Sequence, residues 1–105
     1  MMMKLTTKHH IAALLALLSL SGLAQAGDPV RGRGLYEEHC AGCHGMAGLP
    51  QVPSVPNFST GQGLMKPDQE IMAYIKRGGT VMPGFKGILS DSEISDVIAH
   101  MRTFF

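Results

Sequence analysis

The pentapeptide Cys40-Ala41-Gly42-Cys43-His44 contains both cysteines of this chain and constrains it more than anything else in its 105 residues. Two thiols at this spacing fit on one helical turn, with a histidine directly after them. The pattern suits three chemistries: a redox disulfide, half of a zinc site, or covalent haem attachment through two thioethers. A redox pair of this kind belongs beside a strand–helix–strand unit, and no strand-like alternation is present. A zinc site normally takes a second spaced pair of ligands. Here only isolated histidines such as His39 or His100 could complete one. The pentapeptide therefore reads best as a haem attachment site. Cys40 and Cys43 form the thioethers, and His44 is delivered beneath the iron as an axial ligand.

The compartment and the size of the chain agree with this reading. Lys4, Lys8, His9 and His10 form a positive leader, followed by an apolar run from Ile11 to Leu23 and then Ala24-Gln25-Ala26. This is the layout of an export signal, with cleavage expected after Ala26. The run is short for a membrane span, which needs about 20 apolar residues. The expected division is a cleaved signal at residues 1–26 and one domain at residues 27–105, in the periplasm and without a membrane anchor. Free thiols do not persist in an oxidising compartment, so Cys40 and Cys43 should be bonded to something. A domain this small buries too little chain surface to be stable without a staple, and a large apolar cofactor supplies one.

The pattern predicts an all-α fold of about three helices joined by long loops. Asp28 and Pro29 are suited to the N-cap and first position of a helix running to about His39. Gly32 and Gly34 lie inside it, each unfavourable by about 1 kcal/mol relative to Ala. Such a helix often has another backbone packed close against it. Pro50, Pro53 and Pro56 exclude a continuous helix between Gly45 and Gly63. A second helix starts near Pro67 and ends before Gly78-Gly79, with Ile71, Tyr74 and Ile75 on one face. Ser90 and Glu93 form the capping box of a third, whose apolar stripe is Ile94, Val97, Ile98 and Met101.

A haem iron needs a second axial partner or an open site. Five methionines follow the leader: Met46, Met65, Met72, Met82 and Met101. Met46 is too near His44 in sequence to reach the opposite face, and Met72 and Met101 fall on predicted helices. Met82 lies in a loop stiffened by Pro83 and is the leading candidate. Met65, or no ligand at all, is the alternative.

At this point the chain resembles the class I cytochromes c over essentially all of residues 27–105. The matching segments are Gly32 and Tyr36 ahead of Cys40, the pentapeptide itself, Pro56-Asn57-Phe58, and Gly79 to Phe85 followed by Leu89-Ser90. The resemblance implies a single covalent haem c. It implies that Gly32 lets the first and last helices cross closely, and that the backbone carbonyl of Pro56 accepts from His44 Nδ1. It also implies that Met82 supplies the second axial ligand. One departure is His100, where the family's last helix often carries an aromatic residue; Phe104 is the candidate substitute.

Filled axial positions leave no place for substrate, so the implied function is one-electron transfer and not catalysis. The expected partners are other redox proteins. Small exported cytochromes found with the haem-d nitrite reductase of denitrifiers share this size and layout, so a nitrite reductase or a membrane quinol-oxidising complex is a candidate partner. An accessory role in haem cofactor assembly, or haem-based ligand binding, is the alternative. No basic footprint for nucleic acid is present: nine basic residues face eight acidic ones, and losing Lys4 and Lys8 brings the net charge to about −1. A monomer is expected. Lys66, Lys76, Arg77 and Lys86 flank the Met82 loop: they are either an ordinary solvated surface or a patch that steers an acidic partner towards it.

Overall fold

The computed structural model describes residues 27–105, and the predicted export signal at residues 1–26 lies outside them. The described residues form four α-helical segments and two short 3-10 turns, with an isolated bridge between Lys86 and Leu89 and no strand. The all-α expectation holds. The attachment motif, however, does not extend the first helix but makes a turn of its own.

Helix α1 spans Pro29–His39. Asp28 caps it in extended conformation, its carboxylate accepting from Val30 N at 2.9 Å and Arg31 N at 3.4 Å. Cys40 breaks from helical geometry at φ −122°. Its N–H still donates to Tyr36 O at 2.8 Å, so the chain turns without leaving a donor unpaired. Helix α2 follows at once as the single turn Ala41–His44 and ends at Gly45, whose φ of +79° suits glycine alone.

A long loop then carries the 3-10 turn Phe58–Thr60, capped by Asn57. Helix α3, Asp68–Arg77, has Asp68 and Glu70 in its first turn and Lys76 and Arg77 in its last. Those charges complement the helix dipole at both ends. Helix α4, Asp91–Met101, opens with the expected capping box. Glu93 N donates to Ser90 Oγ at 3.1 Å, and Ser90 N donates to Glu93 Oε1 at 2.9 Å. The 3-10 turn Arg102–Phe104 follows directly.

The core forms where α1 crosses α4, and it extends over α3. Tyr36, Ile94, Val97 and Ile98 are almost fully buried, joined by Met101, Ile71, Ile75, Phe85, Leu89, Leu64 and Phe58. Gly32 makes the crossing possible: a Cβ there would stand 1.8 Å from the Asp96 carbonyl oxygen. Gly34 plays no such part, because a Cβ at that position meets nothing within 4 Å. Tyr74 also departs from expectation. Ile71 and Ile75 are buried, but Tyr74 is 45% exposed, with the Arg77 guanidinium over its ring at 5.4 Å. One helical stripe is too narrow to bury all three.

The gap left by His100 is filled as expected. Tyr36, His100 and Phe104 form a three-ring cluster with centroids 5.0–5.3 Å apart in tilted and edge-on arrangements. Such rings attract beyond their area burial.

Candidate haem site

His44 sits at the end of α2 with 8% exposure, its ring stacked on Phe58 at 4.6 Å between centroids and 17° between planes. Two neighbouring devices hold this turn. Tyr36 Oη donates to Gly45 O at 2.7 Å, and Gln51 N donates to Cys43 O at 2.9 Å. Burial pushes the His44 imidazole below its ordinary pKa. That favours the neutral ring, which keeps a lone pair free for a metal. His44 Nδ1 is buried and makes no hydrogen bond, so the Pro56 carbonyl is not bonded to it here.

The two thiols are free and lie within one turn, Cys40 half-buried against the core and Cys43 exposed. Burial pushes the Cys40 thiol up to about 11. A redox-active cysteine needs the opposite shift, towards thiolate, so a thioredoxin-like use is disfavoured. Zinc is disfavoured as well: among the described residues no group of three or more His, Cys, Asp or Glu side chains is placed to hold a metal. A buried histidine, pushed towards its neutral form, beside two thiols on one turn fits the donor set for covalent haem.

The Met82 loop is built by backbone packing against the end of α3. Gly78 ends that helix at φ +76°, and Gly79 N donates to Met82 O at 3.0 Å. Phe85 N and Lys86 N then donate to Ile75 O and Lys76 O at 3.0 and 3.2 Å. A Cβ at Gly84 would lie 2.6 Å from Arg77 O, so only glycine lets the loop fold back this closely. Met82 is half-buried and packs on the core cluster, whereas Met65 is 82% exposed and Met46 61%. Among the loop methionines, Met82 alone is held against the interior.

These features agree with what is found in known proteins. The family described as cytochrome C oxidase, cbb3-type, subunit III matches residues 27–101. Cytochrome c6 of Synechocystis sp. is 31% identical over 87 residues, covering 81% of this chain and 72% of that protein. Cytochrome c6 of Thermosynechococcus vestitus is 32% identical over 92 residues, covering 85% and 81%. The chain belongs to the class I c-type cytochromes. Its cofactor is one covalently bound haem c, for which Cys40 and Cys43 carry the attachment spacing, and its family's business is electron transport.

Two further relatives are much longer than this cytochrome and match it over one segment. The dihydro-heme d1 dehydrogenase of Pseudomonas aeruginosa is 36% identical over 87 residues, which cover 80% of this chain but 17% of that protein. The 1-butanol dehydrogenase (cytochrome c) of Thauera butanivorans is 32% identical over 76 residues, 11% of its length.

Some contributors to the site were not anticipated. Phe58 was matched to a family segment, but nothing in the sequence announced its stacking on His44. Arg102 is another: it donates to the carbonyls of Leu64 and Lys66 at 2.8 and 2.9 Å and holds Asp68, fastening the loop before α3 to the end of α4. The expected cationic ring is partly neutralised. Lys76 pairs with Asp91 at 2.8 Å and Lys66 with Glu70 at 3.4 Å.

Proposed function

We propose that this cytochrome is an exported, periplasmic one-electron carrier, with His44 Nε2 and Met82 Sδ as the axial ligands of its iron. When bound, haem c supplies a single-electron couple whose potential a methionine ligand raises. Two observations carry the reading: His44 is buried, which pushes its imidazole towards the neutral form, and Met82 packs on the core in a backbone-bonded loop. The Pro56 carbonyl is the acceptor for His44 Nδ1–H in the holoprotein; such a partner fixes the tautomer and raises ligand basicity. His44 and Met82 would both hold the iron and leave it no open position, so the protein carries electrons and transforms no substrate. Cleavage after Ala26 releases it from its leader as a monomer. Its partners are redox proteins of a respiratory or denitrification chain, such as a nitrite reductase or a membrane quinol-oxidising complex.

Replacing Met82 with Ala tests the ligand set. The ferrous variant is expected to bind CO, the potential to fall, and the weak near-infrared sulfur-to-iron band to vanish. Retention of that band would transfer the role to another methionine, with Met65 first. A second reading, an accessory to haem d1 or nitrite reductase assembly, draws support from the segment shared with the dihydro-heme d1 dehydrogenase. Rapid reduction of a purified nitrite reductase favours the carrier. Electron exchange with free dihydro-haem d1 and none with the reductase favours the accessory.

A further inference from the structure

A cleft of about 480 Å³ lies beside the start of α1 and the first turns of α4, lined by residues that include Gly27, Asp28, Arg31, Asp91, Ser95 and Asp96. Asp96 is the unusual member. It is 4% exposed, in a domain where its only companion among buried polar or charged side chains is His44. One oxygen is used: Asp28 N donates to Asp96 Oδ1 at 2.8 Å. The other, Oδ2, accepts no hydrogen bond. Arg31 Nη2 stands 3.3 Å from it without hydrogen-bonding alignment, and the Arg31 side chain is 62% exposed. Arg31 thus balances the charge of Oδ2 from the solvent side but leaves its hydrogen-bonding capacity unfilled. The site therefore has capacity for a second cation, beside Arg31, that donates N–H groups to Oδ2.

Gly27 reaches the same place. Its backbone packs so tightly on α4 that a Cβ would lie 2.2 Å from Ser95 O and 3.0 Å from Ser95 Oγ. Gly27 is also the residue bonded to Asp28, whose N–H is already on Asp96. We propose that this cleft is the seat of the α-ammonium that export processing creates on Gly27, with Asp96 Oδ2 and Ser95 O as its acceptors. The proposal rests on the reading that the leader is removed after Ala26. Water hydrolyses the Ala26–Gly27 bond at a signal peptidase, the carboxylate leaves with the leader, and the amine left on Gly27 takes up a proton. The neutral, single-donor amide becomes a cation with three N–H donors next to a buried carboxylate.

One effect opposes this. The positive end of the α1 dipole disfavours a cation there, an effect weakened by exposure to solvent. A charge-assisted hydrogen bond to a buried carboxylate is the larger effect, and the negative charge of Asp28 adds to it. Attraction therefore prevails. Asp91 contributes less because Lys76 of α3 holds it at 2.8 Å, and Arg31 opposes from the solvent side. A metal ion is a poorer occupant, since among the described residues no three metal-ligating side chains converge here.

A raised α-amino pKa stabilises the fold below its ordinary value of about 7.7–8.0, and that stabilisation is lost as pH rises through the folded-state value. Holoprotein purified from periplasm is first checked by intact mass and N-terminal sequencing. A first residue other than Gly27 refutes the processing reading separately from the seat. The seat itself is tested on holoprotein beginning at Gly27, by protease release from a fusion if required. The comparison is with the same protein carrying Ala26 as an extra first residue, and with its Nα-acetylated form. Urea unfolding is followed by circular dichroism from pH 6.5 to 10. The Gly27 protein is expected to have an unfolding constant about tenfold smaller than either comparison form at pH 7, a difference that disappears by pH 10. The ¹⁵N-labelled α-amino group should titrate about one unit above its ordinary value, and Asp96→Asn should bring it back. An ordinary titration in the Gly27 protein, or equal stability of all three forms at pH 7, would overturn the proposal. If Asp96→Asn fails to fold, the extended and acetylated forms still decide.

Discussion

The two glycines of α1 differ by two positions and should respond oppositely to the same substitution. At Gly32 a methyl group would lie 1.8 Å from Asp96 O and 2.3 Å from its carbonyl carbon. Ordinary contact begins near ~3.5 Å, so the helices must separate by roughly 1.5 Å. Backbone atoms cannot rotate aside. A radial gap of even 0.5–1 Å forfeits about a quarter to a half of the contact energy across a packed face. The side chains that meet there are Tyr36, Ile94, Val97, Ile98 and Met101, worth about 1.5–3 kcal/mol each when buried. Losing a quarter of that total amounts to roughly 2–4 kcal/mol, and the helix-propensity gain of about 1 kcal/mol offsets only part of it. Gly32→Ala should therefore destabilise by about 1–3 kcal/mol, a large share for a domain of this size. Gly34→Ala meets nothing within 4 Å and should stabilise by up to about 1 kcal/mol. Urea titration of both holoproteins, followed by circular dichroism, reads the two midpoints on one scale. Wild-type stability for Gly32→Ala, or a loss for Gly34→Ala, would refute the account of the crossing.

Ser90→Ala removes the capping box of α4 and should lower stability by about 1 kcal/mol, or about 4–8 °C in Tm by calorimetry. Burial, with Arg33 nearby, holds His100 below its ordinary pKa, so the unfolded chain takes up a proton that the folded one refuses. Stability should accordingly fall as pH drops below about 6.5, and His100→Phe should make that slope shallower between pH 6.5 and 5 in pH-dependent urea titrations, the remainder coming from groups such as His44. Because Lys66 and Lys76 are paired while among the described residues no ion pair involves Lys86, Lys86→Glu should slow electron transfer to an acidic partner more than Lys66→Glu, with a shallower dependence on ionic strength.

Features encoded within a few residues were legible in the sequence. The caps at Asp28 and Ser90 reach only two or three positions along the chain and form as expected. The attachment spacing is equally local. The glycines of α1 announced a close backbone, but that Gly32 meets the last helix came from resemblance, because the cause is the carbonyl of Asp96, remote in sequence. The same limit explains what was not foreseen. Gly32 and Gly34 look alike in a helix until the position of α4 separates them. Lys76 reads as a free cation until Asp91, beyond the Met82 loop, neutralises it. Periodicity placed Tyr74 with Ile71 and Ile75, but it reports direction around a helix and not how wide a neighbour covers it.

Glycine recurs at the positions that govern this geometry, and there is a reason. A domain with so small a core cannot set its helix positions by large side chains alone. It uses backbone contact: Gly32 on Asp96, Gly27 on Ser95, Gly84 on Arg77, and Gly78 on Gly84 N at 2.6 Å for a hypothetical Cβ. Backbone against backbone leaves no rotamers to adjust, so the separation is set within tenths of an ångström. Arg102 adds a polar clamp where the loop before α3 meets the end of α4. The Met82 loop and the His44 turn are thereby carried on α3, α1 and α4, which cannot slide independently. With the ligand set proposed above, that arrangement would keep ligand displacement small on gain or loss of an electron, and low reorganisation is what a carrier requires. The Gly84 contact is the point where this link is most exposed: a methyl group there must lift the loop off Arg77 O, and the fold could survive while the position of Met82 does not.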